Sequence, residues 1–441
     1  MQALGASRTS VVPGGALAGG WARNALWKTA RAVPSLDLRF ADNKSLGDAV
    51  GGNNLVTFTR ASSGTYVGSD GLIQTATTNE PRFYHNPTTG ESLGLLVEEA
   101  STNLFLQSNA FTTTWSNTDT VATATQTTAP DGSNAGWKLA AGTGTSNHNV
   151  FQSIAFTAVA TTASVFVKYL DHRWVGIRIG FGVSQFFGSW DLQNGVVGSV
   201  TAGATIGMQA VGNGWYRLTL TATLTTAGSA NCIIGLNNAD ALALTTYTGT
   251  GTGIYLFGAQ LEAGAFPTSY IPTTSATATR AADVASITET NFSSWYNQTE
   301  GTVFAETQLQ SIAARSAAGF DINDNSTNNR IVFRALTTSV TDQVVIRSGS
   351  STVFSAAAGV SPAPTTASRK SAVGYKVNDF MFTAIGSAGF TGTTGAVPVS
   401  VNQMLIGYEQ GPTGQLGGTI KRLTYWPTRL SNEVLQRITQ P

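Results

Sequence analysis

The residues whose types and spacing could do chemistry are aromatic and polar rather than acidic or nucleophilic. Trp174 and Trp190, with Trp115 upstream, could each offer a flat ring to the apolar face of a sugar. Asp171, Gln185 and Asp191 lie beside them and could take the sugar hydroxyls. Residues 171–191 therefore predict a carbohydrate-binding surface. Each tryptophan could instead fill a core, the commoner fate of any single one. In the run Gln185–Asp191, alternation puts Phe186, Gly188 and Trp190 on one face, which is either core or groove.

Other chemistries find little support. Two-carboxylate hydrolysis needs acids flanking a bond, and only 24 of 441 residues are Asp or Glu. Glu98 and Glu99 are adjacent, so on a strand they point to opposite faces. Cys232 sits in an apolar run and reads as a buried thiol. His172 follows Asp171 and could be a base, although such residues more often sit on strand edges or loops. The run Asp321–Asn325 has calcium-type oxygen ligands but lacks the glycine and distal glutamate of an EF-hand. It reads as a turn between strands. No catalytic residue, metal ligand or cofactor site is expected.

Composition narrows the classes. Charged residues make up 11% of the chain, against roughly 25% in an average globular protein. The formal charge is +1, so no long-range field draws in nucleic acid or an anionic membrane. One cysteine excludes an intramolecular disulfide and a cysteine zinc site. No apolar run approaches the 18 or so residues of a membrane span, and Arg8 and Pro13-Gly14-Gly15 interrupt any secretion signal.

The elements that must position these residues are short strands between tight turns. Residues 1–35 form an arm with Trp21, Leu26 and Trp27 but no core of its own. It is expected to order by docking on a partner. Residues 36–103 read as a small β region. Ser69-Asp70-Gly71 and Asn86–Gly90 are its hairpin turns. Residues 104–272 carry strands whose spacing predicts an all-β sandwich of jelly-roll type. Residues 273–284 are small and polar and read as a linker, with Arg280 an exposed site for proteolysis. Residues 285–441 return to strands and end in a short helix, capped by Ser431, with Val434, Leu435 and Ile438 as its apolar face.

Three strings carry a resemblance: LDLRFADNKSL (36–46), the run from VTFTRASSGTYV to LLVEEASTN (56–103), and FGAQLEAGAFPTSYIPTTSATATRAAD (257–283). Together they resemble the head spike or head fibre proteins of tailed bacteriophages. Residues 418–433, a last strand running into a helix, resemble the end of a laminin-G or concanavalin-A-like sandwich. The middle part, with Asn103, Phe111, Trp115 and later Trp215-Tyr216-Arg217, is similar to carbohydrate-binding jelly rolls. Glycosidases of the concanavalin-A-like fold usually carry a Glu-x-Asp-x-x-Glu string, which is absent. The resemblance implies a virion structural protein, a non-enzymatic head fibre or spike contacting host-surface glycans. The alternatives are a tail fibre or tailspike that depolymerises glycan, and a decoration protein without receptor affinity. The implied partners are further copies of the chain in a homotrimer, a capsid or collar protein bound through the arm, and bacterial surface glycan. The implied location is the virion surface, after synthesis in the host cytoplasm and release by lysis.

Overall fold

The computed structural model describes residues 25–180, 182–311, 316–336, 341–359, 367–411 and 414–441. The chain is nearly all β, and every registered strand pair between described residues is antiparallel. Four large sheets form two sandwiches. Among the described residues no helix is long and apolar enough to cross a membrane.

The first sandwich lies between residues 104 and 272. One six-stranded sheet runs, in spatial order, Ala204–Ala210, Trp215–Thr223, Ala160–Tyr169, Gly253–Ala263, Gly136–Ala141 and Thr120–Thr127. Its partner runs Val196–Val200, Phe186–Asp191, Trp174–Ile179, Gly228–Asn237, His148–Phe156 and Ser116–Thr118. Alternation builds the core between them. Val165 and Val167 point inward against Val175, Ile177, Ile234 and Leu256, while Phe166 points to the opposite face.

The second sandwich takes strands from both ends of the chain. Its eight-stranded sheet holds Phe390–Gly392, Asp379–Ala384, Arg369–Lys376, Glu300–Leu309 and Gly418–Trp426 from the C-terminal part. Ser92–Val97, Phe83–His85 and Leu36–Leu38 complete it. The facing seven-stranded sheet begins with Thr57–Thr59 paired to Val284–Thr288. One core joins Leu36, Leu38, Phe58, Leu95 and Val97 to Ile287, Val303, Ile322, Ile406 and Leu423. Gly94 has φ +91°, and a Cβ there would lie 2.1 Å from the Ile420 carbonyl oxygen, so only glycine lets these two strands approach.

Local turn chemistry works as the sequence suggests. Gly71 has φ +76° in the hairpin joining Gly64–Val67 to Ile73–Ala76. Asn86 Oδ1 accepts from the Thr88 and Thr89 amides, and Gly90 closes that turn at φ +70°. Asp324 organises the turn after Ser316–Asn323 by accepting from Ser326 and Asn329. Ser431 occupies the N-cap of the helix Asn432–Ile438 but makes no side-chain cap bond; Leu435 and Ile438 bury its inner face.

Three expectations change. Residues 36–103 do form strands, but these complete the second sandwich instead of a separate region. Alternation reveals which face of a strand is buried and not which strand it pairs with. Residues 273–284 are not a free linker: Ala278–Arg280 pairs with Ser101–Asn103, and Arg280 and Asp283 are buried. The arm is engaged at its end. Trp27, on the helix Ala25–Ala30, donates its indole N–H to Asp37 at 2.9 Å, and Leu26 packs beside Trp426 and Leu435. Both expected anchors are thus used within the chain, and Trp21 lies outside the described residues. The first sandwich is accordingly an insertion within the second.

A fragment of residues 285–441 lacks four strands of its own sandwich and is expected to be molten, with weak near-UV circular dichroism. Residues 25–441 should show a cooperative melt and resist trypsin at Arg280. A cooperative native fold for the short fragment would overturn the shared-core assignment.

Candidate functional site

The two passages of chain between the sandwiches meet at a buried ion cluster. Glu98 follows the strand Ser92–Val97, and Asp283 precedes Val284–Thr288. Each backbone amide serves the other residue: Asp283 N–H donates to the Glu98 carbonyl and Glu98 N–H to Asp283 Oδ2, both at 2.9 Å. Arg60 Nη1 sits 3.1 Å from Asp283 Oδ1, and Arg82 Nη1 sits 2.8 Å from Glu98 Oε2. Arg82 also pairs with Asp283, and Arg280 approaches Glu98 at 3.5 Å. None of these five side chains has more than about 1% exposure. Burial alone would push the Glu98 carboxyl up. The guanidiniums of Arg280 and Arg82, helped by bonds from Ser269, instead hold it down at about 2.

Beside this cluster a cleft opens between the sandwiches, about 420 Å³ in volume. A neighbouring hollow of about 250 Å³ shares Met208, Gln209, Arg217, Pro267 and Gln310 with it. The inserted sandwich supplies Gln209 and Arg217 from the outer face of its sheet. The second sandwich supplies Tyr84, Gln308 and Gln310. Strand alternation in Trp215–Thr223 sends Leu218 and Leu220 to the core and Arg217 outward. The guanidinium lies over the Phe166 ring at 5.4 Å, and Nη2 donates to Ser164 Oγ at 3.0 Å. Arg217 Nε and Gln310 Oε1 are buried without hydrogen-bond partners among the described residues. Burial raises the Tyr84 phenol to about 12, so it stays protonated and can donate. No Asp or Glu lines either hollow among the described residues. The arrangement offers hydrogen bonds of both senses and one cation, but not the acid pair that hydrolysis of a glycoside requires.

The residues selected from sequence do not converge on this cleft. Trp190 is fully buried, with its indole N–H on the Gly207 carbonyl at 3.0 Å. Trp115 is buried against Phe105 and Phe111 and donates to the Gln107 carbonyl. Both fill the inserted core instead of stacking on a ligand, because each indole N–H finds a backbone acceptor there. Trp174 is half-buried on the outer face of the other sheet, directly opposite Asp191. Arg173 lies over the Trp174 ring at 5.2 Å and bonds Asp191 Oδ2 at 2.7 Å. Asn194 also holds Asp191, so that carboxylate is occupied. Asp171 is exposed and caps the Gly253 amide. Gln185 is exposed at the far end of the hairpin, about 20 Å along the strands from Trp174. His172 is buried between Thr252 Oγ1 and the Asn237 carbonyl, and burial lowers its pKa. Cys232 is buried, and burial pushes its thiol up.

Sequence reasoning missed Tyr84, Gln209, Arg217 and Gln310. The available signal was charge at the ends of and within strands, in a chain so poor in charge. Arg60, Arg82, Glu98, Arg280 and Asp283 all fall inside the two longest resembling strings, and Arg217 follows Trp215-Tyr216.

No family model matches the chain, and no curated protein matches it. Among solved structures, the carbohydrate-binding module CBM40 of the Ruminococcus gnavus IT-sialidase aligns with 33% of this chain and 84% of its own, at 14% identity and TM-score 0.29. Domains LG4-5 of the mouse laminin alpha1 chain align with 75% of this chain and 88% of theirs, at 9% identity and TM-score 0.23. The GH43 protein BlXynB mutant from Bacillus licheniformis aligns with 70% and 75%, at 10% identity and TM-score 0.22. Likeness this slight carries no functional inference.

Two outcomes follow from the geometry. Glu98 stabilises the fold fully above its ordinary pKa of 4.5, and that contribution, on the order of 3 kcal/mol, is lost as pH falls towards 2. In urea unfolding, wild type should exceed Glu98→Gln by most above pH 4.5, with the gap narrowing towards pH 2. A pH-independent gap would contradict the assignment. Trp190→Ala should cost about 3–5 kcal/mol, whereas Trp174→Ala, at a half-buried ring held between Arg173 and Gly198, should cost clearly less. Equal losses in thermal melts would place Trp174 in the core as well.

Proposed function

We propose that this protein binds glycan without cleaving it, using the cleft between its two sandwiches. The observation that carries this reading is the cleft lining: amides, a phenol and a guanidinium, with two buried polar atoms left unpartnered and no carboxylate among the described residues. Such a surface hydrogen-bonds sugar hydroxyls and needs no reaction chemistry. The resemblance of residues 36–46, 56–103 and 257–283 to phage head fibres supplies the setting. In that reading the chain is a homotrimeric virion fibre or spike, held by a capsid or collar protein and facing the bacterial surface. A site of about millimolar affinity, near −4 kcal/mol, suffices when many copies on one particle engage together.

The test is the double variant Gln209→Ala/Gln310→Ala of the full chain. Its melting temperature should stay within a few degrees of wild type, while binding to host-envelope polysaccharide and adsorption of particles that carry it should drop at least several-fold. Unchanged binding would remove the cleft from the reading. Oligosaccharide release from the same polysaccharide by wild type would replace binding with hydrolysis.

A further inference from the structure

The cleft wall carries a guanidinium whose charge neutral sugar recognition does not use. Four arginines meet at the junction: Arg60, Arg82, Arg280 and, on the cleft wall, Arg217. They face three carboxylates: Glu98, Asp283 and Glu262, the last of which acts on Arg217 electrostatically. Geometry sets Arg217 apart from the other three. Glu98 and Asp283 are taken by Arg60, Arg82 and Arg280. Glu262 is taken by Ser101, Gln260 and Thr268, at 2.6 Å from Ser101 Oγ and Gln260 Nε2. Arg217 forms no ion pair within 4 Å among the described residues. Its guanidinium makes a single hydrogen bond, to the neutral Ser164 hydroxyl.

A cation held this way is partly desolvated by the fold. Burial depresses the Arg217 pKa, the sign of a desolvated charge without full compensation. Phe166 beneath it and Ser164 beside it fix the plane of the guanidinium. Its free donors are thus aimed before any ligand arrives, and such a fork suits a planar carboxylate. The acceptor Gln310 Oε1, buried and unpartnered on the same cleft, needs a hydroxyl donor. Gln209 and Tyr84 add further hydrogen-bonding groups. A volume of about 420 Å³ falls within the range of small-molecule sites, roughly 300–1,000 Å³.

We propose that the cleft is specific for an acidic sugar, whose carboxylate sits on the free edge of Arg217 while its hydroxyls bond Gln310 and Gln209. This rests on the glycan-binding reading above and adds the ligand's charge class. A neutral sugar would leave Arg217 without a direct ion pair, so the acidic form should bind preferentially.

The experiment compares acidic bacterial polysaccharides, containing uronic or ulosonic acids, with the same polymers after carboxyl reduction. Full-length wild-type protein is titrated with each pair. The acidic form should bind roughly tenfold or more tightly than its reduced counterpart, and the difference should shrink as salt is raised. Arg217→Gln should abolish that difference, lowering affinity for the acidic form far more than for the reduced polymer. The wild-type comparison stands even if the variant folds poorly. Equal affinity for acidic and reduced forms would overturn this proposal and leave glycan binding intact. Binding of neither form across the panel would overturn both.

Discussion

Three guanidiniums and two carboxylates, closed off from water at one crossing point, hold the two sandwiches in register. An ion group this deep is not a simple gain in stability, because desolvation opposes the Coulombic attraction. Its effect is on geometry. Removing any member leaves a buried charge without its partner, so the outgoing chain at Glu98 and the returning chain at Asp283 have one acceptable arrangement. The backbone bonds between those two residues tighten the constraint. Tyr84, two residues beyond Arg82, and Ser269, bonded to Glu98, are carried into the cleft wall by the same lock.

The second sandwich depends on that lock in another way. Its central strand Gly418–Trp426 pairs with Glu300–Leu309, Ser92–Val97 and Leu36–Leu38, so its core includes contacts spanning almost the whole chain. Closing such long loops is entropically unfavourable until late contacts reward it. The inserted sandwich is made of strands from one continuous stretch, so its pairings do not depend on that closure. Asp37 shows how the earliest and latest segments are joined. It is buried and accepts from Trp27, Arg39, Arg422 and Thr424. Burial opposes its charge, but Arg422 and Arg39 prevail and keep its pKa low.

Much of the local structure was legible in the sequence, because turns and strand faces are set by neighbours. Gly71, Asn86 and Gly90 mark hairpins through φ and side-chain acceptors, and alternating apolar residues mark the inward faces. Strand partners were not legible. Nothing within residues 36–103 announces that Leu95 packs in one core with Ile420. The site failed for a related reason. Trp115 and Trp190 stand out by type, yet each satisfies its indole N–H on a nearby carbonyl and stays inside. Arg217 and Gln310 look unremarkable by type. Their significance lies in what they lack, and a missing partner is visible only once both sandwiches are in place.

The strands Ser101–Asn103 and Ala278–Arg280 lie side by side in antiparallel pairing where the inserted sandwich leaves and rejoins its host. Its two ends are therefore only about 5 Å apart. A module with adjoining ends can be lost, gained or exchanged by recombination without moving the host core, provided Glu98, Arg280 and Asp283 remain to close the seam. The cleft draws one wall from each half, so exchanging the module would keep one wall and replace the other.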